Sequence, residues 1–188
     1  MPTTLAIVPQ DVLLCINRLI VREGGVADRG PVDRGGFTKA GITIPTWARY
    51  IGAPCTPKDL QAATPDQIVD CYYKLFWIGE NADAVYRAHK AIGEFMFDWI
   101  VNSDRSGIKH FQTFLKVMPD GVIGQGTITR LAEMVRLSSD ADRFILNALV
   151  DYRIEFYLHL CVGDPTQLGN IVGWFRRANS FRAYNSSK

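Results

Sequence analysis

Six glycines fall within residues 24–43, together with one proline and alternating charges. That density is hard to reconcile with a helix, because each glycine loses more backbone entropy on ordering than any other residue. The stretch is also too long for a tight turn, so it predicts a glycine-rich β-hairpin or a shaped loop. On its N-terminal side the pattern is helical. Val12, Leu13, Ile16, Leu19 and Ile20 recur at helical spacing and form one stripe, with Pro9 and Asp11 suited to the first turn. Glu23 lies four residues after Leu19 and continues that stripe, and Gly24 and Gly25 supply a positive-φ stop.

A carboxylate in the last turn of a helix faces the negative end of the macrodipole, which costs about 0.3–1 kcal/mol. A sequence shaped by stability alone more often places Lys, Arg or His there. The helix end and partial burial both favour the neutral acid, which makes Glu23 a candidate proton donor. Around it the glycine-rich segment carries Asp28, Asp33, Thr38 and Lys39. Hydrolysis of a glycosidic bond needs a protonated carboxyl for the leaving oxygen and a second polar group for the water or the developing charge. Asp33 and Thr38 lie within a hairpin's reach of that task. The plainer alternative is a solvated helix end followed by a turn-forming aspartate.

Beyond residue 43 the chain is helical in character nearly to its end. Thr64-Pro65-Asp66-Gln67 is a capping box that opens a helix carrying Tyr72, Tyr73, Phe76 and Trp77. Residues 84–102 and 107–118 predict two more helices, and Pro119-Asp120-Gly121 predicts a turn before a helix capped by Thr127. Ser139 is the expected cap of a long helix toward Cys161, and Thr166 of a last one ending near Phe181. With no βα alternation and no repeat, the fold class is mainly α (α+β), with one small β element. Trp99, among apolar neighbours, belongs to the core. By pattern alone Trp77 suits the core and Asn102 a helix cap.

The bulk properties exclude more than they select. A chain of 188 residues, 47% hydrophobic and 21% charged, suits one core or two small ones. Its net charge of +2 is too small to argue for nucleic acid, and residues 107–137 carry no basic stripe. Four widely spaced cysteines without a CxxC pair predict free, mostly buried thiols and a reducing cytoplasm, and imply no metal. The apolar stretch 5–21 is broken by Pro9, Gln10, Asp11, Asn17 and Arg18, so it predicts an amphipathic helix rather than an export signal or a membrane span. After residue 164 there are no acids, while Arg176, Arg177, Arg182 and Lys188 stand with Trp174, Phe175 and Phe181. That segment is either a solvated face beside packed aromatics or a contact for anionic lipid.

Glu23-Gly24-Gly25, followed by Asp33-Arg34-Gly35-Gly36-Phe37-Thr38-Lys39-Ala40-Gly41-Ile42-Thr43, resembles the signature of the glycoside hydrolase 108 family of phage and bacterial N-acetylmuramidases. Val26 and Arg34 depart from the family's Tyr and Pro. Phe97-Asp98-Trp99-Ile100-Val101-Asn102 and the Trp174, Arg176, Arg177 ending are similar to further family segments. Gln112-Thr113-Phe114-Leu115 with Asp120-Gly121, Gly124 and Thr127 resembles a peptidoglycan-binding module. The resemblance implies a lysozyme-like helical fold with a glycine-rich hairpin next to a catalytic Glu23. It implies a muramidase lobe over 1–104 and a peptidoglycan-binding lobe over 105–188, packed as one unit. The expected reaction is cleavage of the β-1,4 bond between N-acetylmuramic acid and N-acetylglucosamine. Glu23, Asp33 and Thr38 would be catalytic, and Asn102, Trp77 and Lys39 would touch substrate. No cofactor or metal is implied. Peptidoglycan glycan strands are the expected partner of a monomer made in a host cytoplasm and released by a holin-like membrane protein. A non-catalytic wall-binding protein and a lytic transglycosylase are the alternatives.

Overall fold

The computed structural model describes residues 8–24, 26–28 and 37–183. The chain divides into two compact units, Met1–Gly79 and Glu80–Lys188. This division falls earlier than the functional boundary expected at 104/105.

In the first unit, helix α1 (Gln10–Glu23) buries Val12, Cys15, Ile16 and Leu19 along one face. Pro9 stands just before the helix rather than in its first turn, and its carbonyl accepts the Leu13 amide at 2.9 Å. Gly24, with φ 74, ends the helix. Three short antiparallel strands follow in the order β1-β2-β3: β1 (Val26–Asp28), β2 (Phe37–Lys39) and β3 (Ile42–Thr43). The register pairs Ala27 with Thr38, and Thr38 with Thr43. Ala40 (φ 50) and Gly41 (φ 78) make the two-residue β2–β3 turn, both with the positive φ that matches strand twist in such hairpins.

Helices α2 (Ile44–Ile51), α3 (Pro57–Gln61) and α4 (Pro65–Tyr72) complete the unit, and α4 continues into a π-helical turn at Tyr73–Ile78. Each of the three is opened by a threonine followed by proline in the first turn, and the Thr64–Gln67 box closes reciprocally at 2.8 and 3.2 Å. Three side chains tie the elements together. Tyr50 donates to the buried Asp70 at 2.6 Å, Tyr72 donates to the Ala40 carbonyl at 2.6 Å, and Lys39 Nζ lies 2.6 Å from the carbonyls of both Gln61 and Ala63.

The second unit begins with α5 (Ala82–Ala88) and the long α6 (Lys90–Leu115). His89 separates them with an extended backbone, and its Nδ1 accepts the Ile92 amide at 3.5 Å. The break expected near residue 104 is a kink inside α6, where Asp104 takes φ 47 and ψ −139. A turn with Gly121 at φ 79 leads to α7 (Gln125–Leu137), and the chain continues through α8 (Asn147–Gly163) to α9 (Ile171–Asn179). Three expected caps are corrected. Thr127 is buried inside α7, which begins after Gly124 without a side-chain cap. Asp140, not Ser139, accepts the Arg143 amide at 2.9 Å. Asp164, not Thr166, caps the 3-10 turn at Pro165–Asn170. In the last two cases the neighbouring carboxylate takes the role expected of the hydroxyl.

At the centre of this unit Asp98 is 1% exposed and Arg153 0% exposed. Arg153 Nη1 donates to Asp98 at 2.8 Å, and Arg177 of α9 donates to both Asp98 oxygens at 2.8–3.0 Å. One carboxylate therefore joins α6, α8 and α9. Burial pushes the Asp98 pKa up, but the two guanidiniums outweigh it and hold the carboxyl below its ordinary range. All four cysteines are free thiols, three of them buried.

Candidate active site

Helix α1 carries Glu23 on its last residue, half-buried, and Gly24 turns the chain away. The β2–β3 hairpin returns to it. A methyl group on Gly41 would stand 2.6 Å from both Cγ and Oε2 of Glu23, and 2.7 Å from Cδ. No side chain fits in that space, so the carboxyl rests directly on the glycine backbone at the hairpin tip. The tip is held in place by the Tyr72 hydroxyl on the Ala40 carbonyl. Thr38 sits on β2, the strand that leads into this turn, half-buried and paired with Thr43. The unit thus brings Glu23 against the hairpin that bears Thr38. Asp33 lies outside the described residues.

The three expected substrate contacts fare differently. Trp77 is 1% exposed within the π-helical turn, so it fills the core and offers no face to a sugar. Lys39 is engaged by two backbone carbonyls at and beyond the end of α3, where an ammonium suits the negative helix end. Both corrections have the same cause: residues beside a cleft motif are also those that must anchor it. Asn102 is exposed in α6, donates Nδ2 to the Asp98 carbonyl at 2.8 Å, and lines a cavity of the second unit. Gly41 and Tyr72 were visible in the sequence without a role. The Gly-Ile after the threonine was the available signal for the first, and nothing local pointed to the second.

The motif resembling a peptidoglycan-binding module is turned inward on itself. Gln112, 1% exposed, donates to Asp120 at 2.7 Å, to the Val122 carbonyl at 2.9 Å and to Thr127 at 3.2 Å, and accepts the Gly121 amide at 2.8 Å. Its polar residues build a helix–turn–helix joint. Among the described residues, no group of three or more His, Cys, Asp or Glu is placed to hold a metal ion. No described helix is long and apolar enough to cross a membrane.

A helix ending in a half-buried glutamate beneath a small antiparallel hairpin, within a mainly helical chain, defines the lysozyme-like class. Comparison with known proteins gives the family. Residues 16–103 match the model of the glycosyl hydrolase 108 family, and residues 106–179 match that of a predicted peptidoglycan domain. The chain therefore carries a glycosyl hydrolase 108 domain, its N-terminal catalytic segment, followed by a peptidoglycan-binding one. It is a glycoside hydrolase of peptidoglycan. Among solved structures, Brucella abortus SagA superposes with a TM-score of 0.71 at 24% identity, covering 93% of this chain and 97% of that one. At that identity the likeness is one of fold. No curated protein matches the chain.

Proposed function

We propose that the protein is an N-acetylmuramidase that cleaves the β-1,4 bond between N-acetylmuramic acid and N-acetylglucosamine. The observation that carries this reading is the seat of Glu23, a carboxyl at a helix end pressed against the backbone of Gly41. There Glu23 donates its proton to the leaving oxygen. Thr38 and Asp33 order the attacking water or support the developing positive charge. Asn102 contacts an acetamido group. Residues 1–104 form the catalytic portion and 105–188 the wall-engaging portion. The enzyme acts as a monomer and needs no cofactor.

The physiological reading is that of a phage endolysin. It accumulates in the host cytoplasm and reaches the wall through lesions made by a holin-like protein, causing lysis. Of the C-terminal basic residues proposed for lipid contact, Arg177 pairs with Asp98 and Arg182 with Asp151, while Arg176 is exposed.

The test is a digest of purified peptidoglycan by wild type and Glu23→Gln, with the muropeptides analysed by mass spectrometry. Reducing muramic ends from wild type, with a loss of about 10²-fold or more in the variant, are expected. Anhydro-muramic ends would make it a lytic transglycosylase, and equal clearing by the two proteins would remove Glu23 from the chemistry. Binding of wild type without any cleavage would leave a wall-binding protein.

A further inference from the structure

The second unit contains a cavity of about 270 Å³ walled by three helices. That volume is roughly nine times the liquid share of one water, the scale of a single sugar ring. Helix α6 contributes Asn102, Ser103 and Ser106, and α8 and α9 contribute Phe156, Tyr157 and Trp174. No lining side chain carries a formal charge at neutral pH, so an anionic or cationic ligand finds no counter-charge there. A pyranose ring has the matching character. Its C–H faces pack on aromatic rings, while its hydroxyl and acetamido groups need neutral donors and acceptors.

The aromatic wall is held rigid from behind. Tyr157 and Trp174 stack with centroids 4.9 Å apart and planes 25° apart. The Tyr157 hydroxyl accepts from Arg153 Nε at 2.8 Å, and Arg153 is bound to Asp98. Arg177, about one turn after Trp174 on α9, is bound to the same Asp98. A single buried carboxylate thus fixes the helices that present both rings, as a preformed ligand platform requires. The polar wall carries strain. Asp104, between Ser103 and Ser106, holds a positive φ of 47 that non-glycine residues rarely adopt. Such strain concentrates at functional sites. Asn102 uses Nδ2 on the Asp98 carbonyl, which orients its amide oxygen as an acceptor.

We infer that this cavity is a glycan-contact site that takes one N-acetylated hexosamine ring of the wall polymer, seated on the half-buried Trp174, which the buried Tyr157 backs, and hydrogen-bonded by Asn102 and Ser106. The inference rests on the peptidoglycan reading above and assigns the Asn102 contact to this cavity, with Trp174 as its platform.

The test uses the full chain carrying Glu23→Gln, titrated with a soluble β-1,4-linked N-acetylglucosamine trimer and with the corresponding glucose trimer. The readout is the nitrogen-15 indole spectrum. The protein has four tryptophans, and Trp47, Trp77 and Trp99 are 3% exposed or less. The indole resonance of Trp174, which is half-buried, is expected to shift with the acetylated trimer and not with the glucose trimer. Asn102→Ala and Ser106→Ala, both at exposed positions, are each expected to weaken that titration roughly fivefold while leaving thermal unfolding unchanged. A Trp174 resonance that does not respond, or unchanged affinity in both alanine variants, overturns the inference. If wild type still cleaves peptidoglycan in that case, only the cavity assignment fails. If wild type does not cleave, the hydrolase reading fails with it.

Discussion

Any side chain at Gly41 would collide with the carboxyl of Glu23, and the backbone φ of +78 there is one that side chains rarely adopt. Gly41→Ala therefore displaces the carboxyl or opens the turn. The strain costs about 1 kcal/mol in stability. Misplacing a reacting group by about an ångström lowers turnover by up to roughly 10²-fold. Activity on purified peptidoglycan is expected to fall at least about tenfold while urea unfolding shows the protein still folded. Full activity would mean that the acid does not need this seat. Glu23 itself was legible from the sequence, because a helix-ending carboxylate on an apolar stripe is a misfit that stability does not explain. Its seat was not legible, since the contact joins residues eighteen positions apart through a turn whose closure depends on Tyr72.

At the level of elements, the glutamine–glycine joint and the α6 kink make opposite predictions. Gln112→Ala leaves the Gly121 amide and Thr127 hydroxyl without their buried partner, at a cost of about 2–4 kcal/mol. Equilibrium urea unfolding should show this as a lower midpoint. A variant that is fully stable yet loses peptidoglycan binding would instead make the motif a ligand contact. Asp104→Gly relieves a positive φ within a helix and is expected to raise stability by about 1 kcal/mol, read as a higher urea midpoint at unchanged slope. The element types were legible from periodicity and caps, as the Thr64–Gln67 box shows. The boundaries were less so. His89 and Asp104 each disturb the backbone of one apolar run, and periodicity alone does not tell a helix break from a kink.

For the second unit as a whole, stability is tied to the ionisation of Asp98. Its folded-state pKa lies below the unfolded value near 3.9, so the carboxylate contributes fully above that value. The contribution is lost as pH falls through the lower, folded-state pKa. Wild type is therefore expected to lose stability steeply below about pH 4. Asp98→Asn should cost about 3–5 kcal/mol at pH 7, because it leaves the Arg153 guanidinium buried without its counter-charge. Its stability should then depend less on acid than that of wild type. Urea midpoints measured from pH 7 to pH 3 for both proteins check the size and the sign, and parallel curves would remove Asp98 as the origin.

By itself the sequence determined the mainly helical class, the hairpin after α1 and the glutamate at their junction. All three follow from short-range physics: helical periodicity, glycine density and a charge at the wrong helix end. Only the tertiary structure decided that Trp77 is core, that Lys39 anchors a neighbouring helix end and that Gln112 closes a joint. It also decided that Asp98 binds two arginines 55 and 79 residues away. An aromatic ring, an ammonium or an amide satisfies a core contact, a backbone carbonyl or a ligand with equal chemistry. Which one it meets is set by the packing of distant segments, and no local pattern records that.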